Sequence, residues 1–194
     1  MKLILASQSP RRRELLARMG LDFTVISPRI DEEAYSDSDP AALVGTLSRE
    51  KALAVARDQD PETLVIAADT VVVLDGQALG KPGDEAEAAA MLSALSGRSH
   101  EVYTGVTVCQ GDRADTEAEC TQVTFRALTQ GEIRHYVATG EPMDKAGSYG
   151  IQGFGSLLVE GIRGDYFNVV GMPVCRLGRM LAAFGVDCLA LAGS

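Results

Sequence analysis

The stretch Leu3-Ile-Leu-Ala-Ser-Gln-Ser-Pro-Arg-Arg-Arg-Glu-Leu-Leu16 constrains this chain more than any other. Leu3 to Ala6 read as a short apolar strand, followed by a tight polar turn and a helix opening at Ser9-Pro10. Ser9 is a favourable N-cap, and Pro10 fits the first helical position, where its missing N–H would have no partner. The next residues, Arg11, Arg12 and Arg13, crowd a turn in which the helix dipole favours Asp and Glu by about 0.3–1 kcal/mol per charge. Two readings stay open. A dense anion sits at the helix start, held by free N–H groups, the Ser7 and Ser9 hydroxyls and guanidinium forks; or the arginines form a solvated basic helix end or a targeting patch.

Further along, Asp22 to Ser27 reads as a second strand, and residues 28–40 as a polar, acidic connection containing Asp31-Glu32-Glu33. Asp39-Pro40 repeats the cap-plus-proline signature and predicts a helix to about Asp58, with Leu43, Leu47 and Ala54 on its buried face and Lys51 near the edge of that face. Leu64 to Ala68 predicts a buried strand that stops at Asp69-Thr70. Val71 to Leu74 and Gln77 to Leu79 then form a hairpin around Asp75-Gly76. Asp84 with Glu87 predicts a capping box for an alanine-rich helix ending near Ser96-Gly97. Strands follow at His100 to Cys109 and about Asp115 to Arg126, with a turn at Gly111-Asp112. Thr129 and Glu132 form a second capping box for a helix over Gln130 to Ala138. The segment Asp144 to Gly153 is too rich in glycine for an element interior, and such density permits unusual backbone angles or close approach to a ligand. Leu157 to Ile162 reads as a strand and Pro173 to Phe184 as a last helix. Elements that interleave early around a hairpin-rich middle predict an α/β fold. That fold is a mixed, elongated β-sheet flanked by helices, one domain over residues 1–194 in two lobes with a substrate cleft between them.

With 194 residues, 46% of them hydrophobic, the chain can bury a full core. A net charge of −9 argues against broad, non-specific nucleic-acid binding, so the positive charge that matters is local. No stretch approaches the roughly 18–20 apolar residues of a membrane span. Cys109, Cys120, Cys175 and Cys188 lack metal-ligand spacing and read as reduced thiols of a cytoplasmic protein, since the N-terminal apolar run is too short for a signal peptide.

Four further residues look chemical. Asp69 follows a predicted buried strand directly, where ligands of open α/β sheets collect, and its carboxylate suits a divalent metal or a proton taken from water; an ordinary Asx-turn is the other reading. Glu32 is either a second metal ligand or a solvated charge. Lys51 and Lys81 either neutralise phosphate oxygens or lie on the surface.

The chain resembles the Maf family of nucleotide pyrophosphatases along almost its whole length. The resemblance rests on seven motifs in family order. They are Ser7-Gln-Ser-Pro-Arg-Arg-Arg-Glu-Leu-Leu16, Arg49-Glu-Lys-Ala52, Ala67-Ala-Asp-Thr-Val-Val72, Gly80-Lys-Pro82, Thr104-Gly105-Val106, Asp144-Lys-Ala-Gly-Ser-Tyr-Gly-Ile-Gln-Gly153 and Val170-Gly-Met-Pro173. It implies a two-lobed fold shared with inosine-triphosphate-type pyrophosphatases and a homodimer. It also implies a divalent cation (Mg2+ or Mn2+) and cleavage of a nucleoside triphosphate to monophosphate and pyrophosphate. Within the family, Arg11, Thr70 and Gln152 match the branch acting on dTTP and UTP, where the branch acting on 7-methyl-GTP tends to have Trp, Gln and Glu. A Gln carboxamide offers an acceptor and donors to the N3–H, O2 and O4 edge of uracil or thymine.

On this resemblance Asp69 is the proton acceptor and Glu32 an additional metal ligand beside it. Ser7, Arg12, Lys51 and Lys81 hold the triphosphate, and Arg11, Thr70 and Gln152 select the base. A second reading, a non-catalytic nucleotide-binding regulator of division or septum formation, follows from the family's reputation. A third is a phosphatase releasing the γ-phosphate.

Overall fold

The computed structural model describes residues 2–192. Among the described residues seven strands, β1 (Leu3–Leu5), β2 (Thr24–Val25), β3 (Leu64–Leu74), β4 (Gln77–Leu79), β5 (Ser99–Gln110), β6 (Arg113–Phe125) and β7 (Val159–Arg163), form one mixed sheet in the order β2-β1-β3-β5-β6-β7, with β4 paired to β3. Strand β1 (Leu3–Leu5) is buried along its length and lies parallel to both β2 (Thr24–Val25) and β3 (Leu64–Leu74), with Ile4 opposite Val65. Parallel strands covered on both faces read as unbroken apolar runs, which is what Leu3-Ile-Leu and Leu64-Val-Ile-Ala-Ala supply. The second predicted strand is cut to two residues. The chain divides into two compact units. Within the described residues, one comprises 2–69, 104–119 and 171–192; the other comprises residues 70–103 and 120–170.

In the first unit, helix α1 (Pro10–Arg18) starts where the sequence places it, the Ser9 hydroxyl accepting from the Arg12 N–H. Helix α2 (Pro40–Ala56) is capped by Asp39, whose carboxylate accepts from the Ala41 N–H at 3.0 Å. Its buried face differs from the expected one. Val44, Leu47, Ser48, Lys51, Ala52 and Val55 point inward, while Leu43 and Ala54 are only half-buried. Two polar residues sit on this face because both find partners there. The Ser48 hydroxyl meets the Gly45 carbonyl and Thr107 Oγ1, at 2.9 and 3.0 Å. Ile4, Ala6, Ala52, Val55, Val65 and Ala67 form the core beneath.

A second departure concerns β3, which does not stop at Asp69-Thr70 but runs through it to Leu74. Apolar residues on both sides, Ala67-Ala68 and Val71-Val72-Val73, keep the backbone extended, and the charge of Asp69 is met by a lysine from α2, so a buried carboxylate does not end the strand. The turn at Asp75 and Gly76, both at positive φ, then reverses the chain into β4 (Gln77–Leu79).

Strands β5 (Ser99–Gln110) and β6 (Arg113–Phe125) flank a turn in which Gly111 adopts φ of 55°. Gly105 on β5 lies directly under α2. A Cβ there would stand 2.2 Å from the Val44 carbonyl oxygen and 2.7 Å from the Gly45 nitrogen, so helix and strand backbones touch with no side chain between them. Gly105→Ala is therefore expected to lower stability by about 1–3 kcal/mol, read as a drop in the thermal midpoint. An unchanged midpoint would mean that α2 does not rest on β5 at this point. Helices α6 (Val174–Ala183) and α7 (Cys188–Ala192) close this unit; the latter was not expected from sequence, although Asp187 Oδ1 accepts from the Leu189 and Ala190 N–H groups at its start.

In the second unit, α3 (Glu85–Leu95) begins with the Asp84 carboxylate accepting from the Glu87 N–H. The reciprocal half of the expected capping box is displaced by one residue, Glu87 accepting from Gly83 instead. Helix α4 (Gln130–Val137) has the complete box between Thr129 and Glu132. Strand β7 (Val159–Arg163) pairs antiparallel with β6, and a short helix α5 (Tyr166–Val170) follows. The core here is Val72, Leu92, Leu95, Val102, Phe125 and Ile133, joined by an aromatic cluster of His100, Phe125 and Tyr149. His100 Nε2 lies 2.8 Å from the Tyr149 hydroxyl, and burial pushes the ring's pKa down to about 4, so it is neutral in the core. Among the described residues no helix is long and apolar enough to cross a membrane.

Candidate active site

Three residues expected to act together from sequence do meet in the first unit. Lys51 projects from the buried face of α2, and its ammonium donates to Asp69 Oδ1 at 2.5 Å and contacts Glu32 Oε1 at 2.9 Å. Asp69 and Lys51 are both buried, whereas Glu32, on a single turn of 3-10 helix at Glu32–Ala34, is exposed. One cation is thus shared by a buried and a solvated carboxylate. The corrections to α2 and β3 have one origin, for a lysine placed near the edge of a helix and an aspartate placed past a strand end are both interior and pair with each other. Asp69 is at mid-strand, not at a strand's carboxyl end.

The arginine turn lies in the same unit. Ser7 is buried, and its hydroxyl accepts from the Ser9 N–H at 3.1 Å, which shapes the turn between β1 and α1. Arg12 Nε donates to the Gly171 carbonyl at 2.8 Å, fixing the direction of the guanidinium fork. Burial pushes the Arg12 pKa below its ordinary value; the Asp69 carboxylate pulls it up, neighbouring Arg11 pushes it down, and Glu32 raises it again. Arg12 itself is half-buried, with a guanidinium fork whose geometry suits a phosphate or carboxylate group. Arg11 is half-buried. Gly171 was visible in the sequence as part of Val170-Gly-Met-Pro173, but without a role. Its φ of 115° now explains the glycine, since a Cβ would strain the backbone whose carbonyl anchors Arg12.

The remaining expected residues belong to the second unit. Thr70, next to Asp69 along β3, is half-buried, and Lys81 and Gln152 are exposed. The Gly80 carbonyl accepts from the Gly147 N–H at 3.0 Å, which ties the loop carrying Lys81 to the glycine-rich segment carrying Gln152. Gly147, at φ of 67°, has no room for a Cβ, which would stand 2.8 Å from Val72 Cγ1.

Among the described residues no group of three or more His, Cys, Asp or Glu side chains converges to hold a metal unaided. The Asp69 and Glu32 pair nevertheless fits a hard divalent cation. Both carboxylates already converge on one positive centre, and Mg2+ is commonly bound by one or two carboxylates completed by substrate phosphate oxygens and water.

The dTTP/UTP pyrophosphatase of Moorella thermoacetica is 59% identical over 189 residues, covering 96% of each chain. That of Symbiobacterium thermophilum is 52% identical over 184 residues, 95% of this chain and 94% of the relative. The dTTP/UTP pyrophosphatase of Bacillus pumilus is 51% identical over 185 residues, 95% and 97% respectively. Among solved structures, the nucleoside-triphosphatase / dITP/XTP pyrophosphatase of Mycobacterium abscessus is 16% identical and covers 95% of this chain and 97% of its own, with a TM-score of 0.45. The model of the family described as Maf-like protein matches residues 2–184, and the chain belongs to that family.

Proposed function

We propose that this protein is a nucleoside triphosphate pyrophosphatase that hydrolyses dTTP and UTP to the monophosphate and pyrophosphate. The observation that carries the reading is the buried Asp69 carboxylate sharing one ammonium with Glu32, both within the electrostatic reach of Arg12 at a helix start. The activity of relatives at 51–59% identity over nearly their full length supports the same substrates.

In this mechanism water attacks the α-phosphorus while the Asp69 carboxylate accepts its proton. The bond between the α-phosphorus and the bridging oxygen breaks, and pyrophosphate leaves with the bonding electrons. Ser7, Arg12 and Lys81 hold the phosphates. Lys51 exchanges a carboxylate contact for a phosphate oxygen as substrate arrives, releasing Asp69 to act as base and stabilising charge on the leaving group. A divalent cation (Mg2+ or Mn2+) held by Asp69 and Glu32 would neutralise phosphate oxygens. Arg11, Thr70 and Gln152 select the base, the Gln152 carboxamide pairing with the uracil or thymine edge.

Incubation with UTP and Mg2+, followed by separate assays of pyrophosphate and orthophosphate, tests the reading. Stoichiometric pyrophosphate is expected. Binding without turnover would favour a nucleotide-binding regulator, and orthophosphate alone would indicate attack at the γ position.

Selection of the base and retention of the phosphates are expected to fail separately. Gln152→Glu sets an acceptor-only group against O4 of uracil and should lower kcat/KM for UTP and dTTP about ten- to hundred-fold, with GTP losing less. Lys81→Ala should depress UTP, dTTP, CTP and GTP by a common factor, since all carry the same triphosphate. Equal loss on all four with Gln152→Glu would remove the base-selecting role.

A further inference from the structure

We infer that Glu141 and Tyr136 are positioning residues for base selection, holding the loop that presents Gln152; this rests on the pyrimidine reading above. Gln152 lies in a run containing Gly150, Gly153 and Gly155, a composition that by itself confers no fixed shape. The loop is nevertheless pinned on both sides of Gln152. Ahead of it, the Gly150 N–H donates to the Tyr136 hydroxyl at 3.0 Å. Behind it, the Phe154 N–H donates to Glu141 Oε2 at 2.8 Å and the Gly155 N–H to Glu141 Oε1 at 3.0 Å. The Tyr136 hydroxyl completes the circuit by donating to Glu141 Oε1 at 2.9 Å.

One carboxylate therefore accepts three hydrogen bonds and caps the start of the 3-10 turn at Phe154–Leu158, where N–H groups have no partners within the turn. Burial raises the Tyr136 pKa, so its hydroxyl keeps the proton it gives to Glu141. The glycines are the counterpart of these anchors. A Cβ on Gly153 would stand 2.2 Å from Glu141 Oε2, and one on Gly155 would stand 2.5 Å from the Gly150 carbonyl oxygen and 2.7 Å from the Tyr136 hydroxyl. Gln152, between the anchors, is exposed. The loop backbone is thus held while the carboxamide between its anchors is presented to solvent. Neither Glu141 nor Tyr136 sits on an element whose sequence pattern advertises chemistry. Glu141 lies in a short turn, and Tyr136 is a core residue of α4.

The test is Glu141→Gln, with Tyr136→Phe as a second variant that removes one oxygen and keeps the ring in the core. The carboxamide of Glu141→Gln matches the shape of the carboxylate but must turn an NH2 toward one of the donors it formerly accepted from. Expected in each variant is a rise of about tenfold in KM for UTP and dTTP with kcat within about a factor of two, and a UTP-to-CTP preference reduced about tenfold. Amide hydrogen exchange should quicken across residues 150–155 and stay unchanged in β5 and β6. Wild-type preference for UTP retained in both folded variants would overturn the inference while leaving the pyrimidine reading intact. Equal loss on all triphosphates would also overturn it, showing a general structural role. A wild-type protein with no UTP preference would instead remove the reading on which it rests.

Discussion

Replacing Asp69 with Asn is expected to cut turnover of UTP about a thousandfold or more while leaving the fold in place. Asn has the size of Asp, and its carbonyl oxygen still accepts from the Lys51 ammonium, which now stands 2.5 Å from Asp69 Oδ1. Glu32, 2.9 Å from the same nitrogen, continues to balance the lysine's charge. What the amide loses is the capacity to take a proton from water. A barrier increase of about 4 kcal/mol corresponds to a thousandfold fall in rate. The measurement is kcat for pyrophosphate release at saturating UTP, with far-UV circular dichroism to verify folding. A folded Asp69→Asn protein that turns over within tenfold of wild type would sink the assignment and leave Glu32 as the carboxylate to test next.

Lys51→Met is expected to damage stability and activity together. The side chains of Lys51 and Asp69 are 9% and 13% exposed, so removing the ammonium leaves a carboxylate in the interior without its cation. Breaking a buried pair from one side costs about 3–5 kcal/mol, or a fall of roughly 6–20 °C in the thermal midpoint for a chain of this size. Activity on UTP and CTP should fall by a common factor of about a hundred or more, because Lys51 serves phosphate and not base. Pairing the change with Asp69→Leu, which removes the stranded charge, should recover much of the stability and none of the activity. A single variant with wild-type midpoint and wild-type kcat/KM would show that the ion pair serves neither the fold nor the chemistry.

How far the sequence was legible depended on whether a residue's role was set by its near neighbours. Ser9-Pro10, Asp39-Pro40 and Thr129 with Glu132 announced helix starts that the structure confirms, because a cap is satisfied within three residues of itself. The turn at Asp75-Gly76 was legible for the same reason. The face of α2 was not, because its pattern runs Val44, Leu47, Ser48, Lys51, Ala52, Val55, and a serine and a lysine interrupt the apolar periodicity from which a buried face is read. Those two become interior residues only through Thr107 on β5 and Asp69 on β3, neither of which is near them in the chain. The break placed at Asp69 failed likewise, since a charge inside a strand signals an end unless its partner is known.

The sequence by itself determined that strands and helices interleave around a mixed sheet. It also determined that an arginine-rich helix start follows the first strand and that Ser7, Arg11, Arg12, Glu32, Lys51, Asp69 and Lys81 are residues to suspect, while the family resemblance added Thr70 and Gln152. Only the tertiary structure decided that Lys51 and Asp69 are buried against each other with Glu32 on the same ammonium. It alone decided that the Gly171 carbonyl aims Arg12, and that Glu141 and Tyr136 shape a glycine-rich loop. The physical reason is common to all three. A buried charge, a directed guanidinium and a fixed glycine loop are each stabilised by a partner distant in sequence or lying outside any recognisable motif, and the energy of that pairing exists only once the chain has folded.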